Sequence, residues 1–319
     1  MSIRCGIAMP KINRTLPMGP HAASDVWKIR PDLQTADSGQ ALSYATQTTS
    51  GYSDFSIKPD GTVVFVSGRT GGSSGGKIYQ YNLTTPHDLT SGSYSNNSWN
   101  PGNVTPDSSI DTLWVRPNGA SMYVATANIL YQYDLTTPWD LSATINYASK
   151  SFDGAGAPSG TTGWNGIWMS DDGAVLLRAG DGTTDDQKRT VYQYALSTPW
   201  DLSTCSYASK SKLIDEGGAA GDTSLYDIAL NNNGTDLYAL TFEGEDEDDY
   251  VLQRWTMTTP YDVSTASYVS GGPSANANKV EGLRFFLKAD DGTKLFANDH
   301  QTGGSWVTGE NQIQRFSTH

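Results

Sequence analysis

Cysteine is nearly absent from this sequence, with only Cys5 and Cys205 in 319 residues. Two thiols cannot staple a domain of this size, and their spacing does not say whether the sulfurs could pair, so both are taken as free. Long apolar runs are missing as well. Nothing approaches the roughly 20 apolar residues of a spanning helix, which removes the case for membrane insertion. The apolar stretch at 6–9 falls far short of a signal-peptide core, so synthesis in the cytoplasm is expected. Basic side chains are outnumbered, 21 against 34 acidic ones, and a net charge of −13 argues against nucleic acid and anionic membranes as partners. There are four histidines, His21, His87, His300 and His319, none paired at metal-ligand spacing. No nucleophile elbow, P-loop, dinucleotide fingerprint, HExxH helix or CxxC pair occurs, so no enzyme and no cofactor is expected.

What the sequence has in quantity is glycine (33), tyrosine (17) and tryptophan (9), with abundant Ser, Thr and Asn, a composition of turns and half-buried strands. An internal repeat organises it. Residues 78–94 read IYQYNLTTPHDLTSGSY, 130–147 LYQYDLTTPWDLSATINY, 191–207 VYQYALSTPWDLSTCSY and 252–268 LQRWTMTTPYDVSTASY. Each copy is an alternating strand, a Thr-Thr-Pro-x-Asp turn and a second strand ending on tyrosine. Proline fixes one φ angle of the turn, and its Asp can accept bonds from nearby amides. Upstream of each copy lies another hairpin, marked by Asp60-Gly61, Asn118-Gly119, Asp172-Gly173, Asn233-Gly234 and Asp291-Gly292. Asp-Gly and Asn-Gly between apolar strands are the strongest short-range hairpin signal, because these residues tolerate positive φ.

One unit is therefore four antiparallel strands, A to D, repeated radially as in a propeller blade. The predicted fold is all-β: a five-bladed β-propeller with units at about 53–95, 110–149, 164–208, 225–270 and 281–319. The last unit lacks a strand D, and residues 37–49 resemble one, so an N-terminal strand is expected to close the ring. Residues 1–36 form a separate basic arm that includes Arg4, Lys11 and Arg14; Pro10, Pro17 and Pro20 favour an extended chain suited to docking on an acidic neighbour.

If strand A is innermost, the A–B and C–D turns share a nearly constant face, and the B–C and D–A connections share a variable one. Long variable connections at 68–76, 179–189 and 298–311 direct the search for function to that face. Four features are candidates. The loop with Glu243, Glu245, Asp246, Glu247, Asp248 and Asp249 has the oxygen ligands for a hard cation but no EF-hand spacing, and a solvated acidic loop accounts for it better. A ring of acids at the start of the innermost strands, Asp54, Asp111, Asp227 and Glu281, with Asn165 in the remaining unit, offers carboxylate pairs of the kind glycosidases use. Caps between neighbouring blades explain better why every unit has one. The turn aromatics Trp139, Trp200 and Tyr261, with His87 in the first copy, suit a multivalent sugar-binding ring, or each packs on its own C–D turn. Trp99, in the polar stretch 95–108, can anchor a partner or cover a blade edge.

The repeat YQY-x-L-[ST]-T-P-x-D-L-[ST], at 79–90, 131–142 and 192–203, resembles repeats of propeller-like proteins of bacteriophage virions and tails, marine phages in particular. The resemblance covers 53–270; the fifth unit, with Ile313-Gln314-Arg315-Phe316 and no Thr-Thr-Pro turn, departs from it. It implies a non-enzymatic structural protein of the virion, present in several copies, that attaches to other virion proteins or to a host-surface glycan. A lectin and a glycoside hydrolase using the channel acids are the alternatives.

Overall fold

The computed structural model describes residues 41–43, 54–68, 76–102, 110–126, 128–215, 224–231, 233–242, 250–269, 283–287, 294–299 and 312–317. They form an all-β propeller. Four sheets are each made of four consecutive antiparallel strands, here A to D. The first has Phe55–Ile57, Val63–Gly68, Lys77–Leu83 and Gly92–Trp99. The second has Thr112–Val115, Ser121–Thr126, Ile129–Leu135 and Ile145–Phe152. The third has Thr161–Met169, Val175–Gly182, Thr190–Leu196 and Cys205–Leu213, and the fourth Ser224–Leu230, Asp236–Phe242, Tyr250–Met257 and Ala266–Tyr268. A further four-stranded sheet joins Leu283–Leu287, Lys294–Asp299 and Gln312–Ser317 to Ala41–Ser43, which pairs antiparallel with the last of these.

Strand A of each of the first four sheets touches the next innermost strand in chain order, the last contact being with Leu283–Leu287, so these strands are innermost. Strands B and C are buried on both faces because each sheet packs between two others; Ile78, Tyr79, Gln80 and Tyr81 are all buried, although the sequence alternates. The cores lie between sheets. One such cluster joins Phe65 and Ile78 of the first sheet to Met122, Val124 and Trp139 of the second. Leu42 belongs to the core of the first sheet, with Leu83 and Leu89, which links the Ala41–Ser43 strand to that sheet.

The turns follow their chemistry. Gly61, Gly119, Gly173 and Gly234 sit at φ between +68° and +74° in the A–B hairpins. In the C–D turns Asp88, Asp140, Asp201 and Asp262 each accept from the amide and hydroxyl two residues on, at 2.6–3.1 Å. Three of them cap short 3₁₀ turns at Leu89–Ser91, Leu202–Thr204 and Val263–Thr265. Two connections differ from expectation. The stretch 95–108 is not all loop, because strand D of the first sheet runs to Trp99. Nor is 179–189: strand B of the third sheet reaches Gly182, and a helical turn, Asp185–Lys188, follows on a Thr184–Gln187 capping box.

Candidate functional site

The inner ends of the A strands surround a channel. The expected ring of equivalent acids does not form there, for reasons of register. Counting back from the last strand residue before each A–B turn, Ile57, Val115, Met169 and Leu230, the level of Asp54 is occupied by Thr112, Gly166 and Asp227. Asp111 and Asn165 lie one residue earlier, and one residue turns a strand side chain to the other face. Glu281 lies outside the described residues.

Asp54 is buried, and its carboxylate ties two sheets together. Oδ1 accepts from its neighbour Phe55 at 2.7 Å, while Oδ2 accepts from the Thr112 hydroxyl at 2.7 Å and the Leu113 amide at 2.8 Å. Asp227, also buried, accepts from the Ile228 amide at 2.8 Å and lies against Gly166, where a Cβ would come within 2.3 Å of its Oδ1. Asn165 donates to the Leu225 carbonyl of the next sheet at 3.0 Å. Asp54 thus caps an amide of the next sheet, whereas Asn165 donates across its junction to a carbonyl; the backbone amide of Asp111 pairs with Ala125 in its own sheet.

The turn aromatics sit elsewhere than on their own C–D turns. His87, Trp139, Trp200 and Tyr261 all adopt positive φ, between 57° and 66°, and each donates its amide to the carbonyl of the A–B glycine of its own sheet. The ring then covers that glycine so closely that a Cβ there would come within 2.1–2.4 Å of it. From this seat the rings of Trp139, Trp200 and Tyr261 reach the preceding sheet. Trp139 tilts against Phe65 at 5.2 Å, Trp200 stacks on Trp114 at 5.8 Å and 18°, and Tyr261 stacks on Trp168 at 5.9 Å and 19°. Arg116 lies over Trp200 at 4.4 Å, and Trp139 donates its indole N–H to the Pro117 carbonyl at 3.1 Å. Trp99 has the same kind of role further out: it is half-buried and packs edge-on against Tyr133 of the next sheet at 4.7 Å.

Sequence reasoning missed two sets of residues. Gln80, Gln132 and Gln193, at the centre of each YQY strand, are buried, and each accepts from a C–D turn amide of the following sheet: Leu141 at 2.8 Å, Leu202 at 3.0 Å and Val263 at 3.0 Å. Their signal was an amide recurring at the same place in an otherwise apolar strand. Lys150 and Lys210 reach the capping Asp201 and Asp262 of the next turn at 3.0 and 2.7 Å. Burial opposes ionisation of Asp262, but hydrogen bonds from Lys210 and Ser264 outweigh it and hold the carboxyl below its ordinary range.

Among the described residues no group of three or more His, Cys, Asp or Glu side chains is placed to hold a metal. The acidic loop with Glu243, Glu245, Asp246, Glu247, Asp248 and Asp249 lies outside the described residues, as does the arm with Arg4, Lys11, Arg14 and Cys5. Cys205 is a free thiol, and burial pushes its pKa up to about 12, which makes it a poor nucleophile. The channel encloses a cavity of about 80 Å³ between Asp54 and Asp227 at one end and Pro59, Pro117 and Asp171 at the other.

No family model matches the chain, and no curated protein matches it. Solved structures resemble it in fold. A functionally unknown protein from Desulfotomaculum acetoxidans aligns over 84% of this chain and 75% of its own, at 13% identity and a TM-score of 0.43. The periplasmic gluconolactonase of Pseudomonas aeruginosa aligns over 83% and 70%, at 13% identity and 0.42. The Nup170 N-terminal domain–Nup53 complex of Chaetomium thermophilum aligns over 82% of this chain and 38% of that one, at 11% identity and 0.39. Such scores carry no functional argument, and the fold stands on the chain's own sheets.

Proposed function

We propose that this chain is a non-enzymatic propeller scaffold, a structural protein of a phage particle that presents its variable loop face to a neighbouring virion protein or a host-surface glycan. In this reading the five sheets are five blades of one ring, closed by Ala41–Ser43. The supporting observation is the use made of Asp54. Its two oxygens serve three donors, two of them across a blade junction, so this candidate catalytic acid already has a structural role. The turn aromatics are likewise engaged as wedges between blades, which speaks against a repeated sugar platform. The assignment to a particle, in several copies and assembled from the cytoplasm, rests on the resemblance of the repeat.

A hydrolysis assay over a panel of oligosaccharides, run beside a glycan array, tests the reading. The expected result is no cleavage and no array signal that depends on Trp139 or Trp200. Cleavage abolished by Asp54→Asn or Asp227→Asn would establish the hydrolase instead, and array binding abolished by Trp200→Ala would establish the lectin.

A further inference from the structure

We infer that Asn118 and Asn233 are modification sites, at which spontaneous deamidation is held off by the folded turn and begins when the aromatic cover of that turn lifts. Their chemistry does not depend on the scaffold reading above. Both asparagines stand in A–B turns, are exposed, and precede a buried glycine, Gly119 or Gly234. Asparagine before glycine is the most labile pair of its kind, because the glycine lacks the Cβ that would shield its amide. The main-chain nitrogen of the glycine, deprotonated by hydroxide, attacks Cγ of the asparagine. The new C–N bond closes a five-membered imide, the carboxamide C–N bond breaks, and ammonia leaves. Water then opens the imide at either carbonyl and gives aspartate or isoaspartate. One water is consumed and one ammonia released, with no other reagent.

The folded turn engages both reacting groups. The Gly119 amide donates to the Arg116 carbonyl at 2.7 Å and the Gly234 amide to the Asn231 carbonyl at 2.9 Å, so neither nitrogen is free to attack. The side chains are held as well. Asn118 Oδ1 accepts from the Ala120 amide at 3.0 Å, and Asn233 Oδ1 accepts from the Thr235 amide at 3.2 Å and the Thr235 hydroxyl at 2.7 Å. Over each glycine lies the ring of Trp139 or Tyr261, whose own amide donates to the glycine carbonyl at 3.4 or 2.8 Å. Each glycine is thus held at its nitrogen, its α-carbon and its carbonyl, and turning its amide toward the asparagine requires the ring to lift.

The two products differ in consequence. In the first and third sheets the same position is held by Asp60 and Asp172, which accept from the amides of Thr62 and Ala174, two residues on, at 3.0 Å. Aspartate at 118 or 233 therefore keeps the turn. Isoaspartate routes the chain through the side-chain carbon and lengthens the main chain inside a turn closed by bonds of 2.7 and 2.9 Å, so the glycine no longer fits under its ring. A third pair, Asn165-Gly166, supplies a reference within the same chain. It lies in strand A of the third sheet, where Asn165 donates across the junction to the Leu225 carbonyl at 3.0 Å and Gly166 pairs with Ala179 and lies against Asp227, not under a turn ring. Opening of the sheet, and not of a turn, exposes that pair.

Peptide mapping by mass spectrometry, after incubation of the full chain at mildly alkaline pH with and without urea, reads all three pairs at once. In urea the three are expected to deamidate at similar rates, and in the folded chain Asn118 and Asn233 at least about tenfold more slowly. Trp139→Ala should raise the rate at Asn118 about tenfold and Tyr261→Ala the rate at Asn233, each leaving the other two pairs at the parent's rate. Folded-state rates equal to those in urea would overturn the proposal. So would a folded variant in which loss of the ring leaves its own asparagine unchanged or speeds all three pairs alike. Should Trp139→Ala fail to fold, Tyr261→Ala, which removes a ring that is only half-buried, decides alone.

Discussion

The junction between the first and second sheets is built differently from the two that follow it. All three share the glutamine bond to the next turn. The second-to-third and third-to-fourth junctions add a lysine on strand D, Lys150 or Lys210, paired with the capping aspartate, and a parallel aromatic stack near the channel. The first-to-second junction has Asn97 where the lysine would stand and a tilted pair in place of the stack, and it is the one with the Asp54 tie at the innermost strand. The first junction is thus fastened by a carboxylate at the hub, and the two that follow by lysines at the rim, with the Asn165 bond to Leu225 added at the hub of the last.

The largest expected break comes at the hub. Asp54→Ala leaves the Thr112 hydroxyl and the Leu113 amide buried without their acceptor, and should cost about 3 kcal/mol in urea unfolding, whereas Asp54→Asn should cost less. If the alanine variant unfolds within about 0.5 kcal/mol of the parent, the hub tie is not structural. Next comes the shared bond: Gln193→Leu orphans the Val263 amide and should cost about 2 kcal/mol, and the same change at Gln80 should match it despite the different surroundings. The smallest effect is at the rim. Lys210 is more than a third exposed, so solvent screening keeps its pair with Asp262 under about 1 kcal/mol. A depressed carboxyl pKa stabilises the fold above the unfolded value of about 3.9 and loses that contribution as pH falls through the folded value, so parent and Lys210→Met should differ at neutral pH and converge in acid below that point. Asn97→Lys, placed to reach Asp140, should raise stability by a few tenths of a kcal/mol and make the first junction resemble the others, and a loss would show that the Asp54 tie sets a different spacing there.

The hairpins were legible because their signals are local. Asp-Gly and Asn-Gly turns demand positive φ, and Gly61, Gly119, Gly173 and Gly234 have it. The repeat made the sheets legible in turn. The acid ring was misread because the connections from D to A vary in length, and only strand pairing shows that Asp54 stands level with Thr112 while Asp111 is one residue out. Trp139 and Trp200 were placed on their own turns because a tryptophan at positive φ is rarely anticipated; the clue was the glycine in every A–B turn, bare enough to be covered by a ring. The inter-sheet stacks were hidden for the same reason, since Trp114 and Trp168 read as ordinary strand residues until the partners Trp200 and Tyr261 are placed.

The pairing of Ala41–Ser43 with Gln312–Ser317 has a mechanical consequence. Ala41 lies opposite Gln314 and Ser43 opposite Gln312, so the chain before Ala41 and the chain after Ser317 leave the sheet in the same direction. Tension between those two flanks would load the rungs one after another, as a zipper is opened, and not all together as in shear. The seam would yield at low force and release the Ala41–Ser43 strand first, while the sheets whose four strands are consecutive carry none of that load.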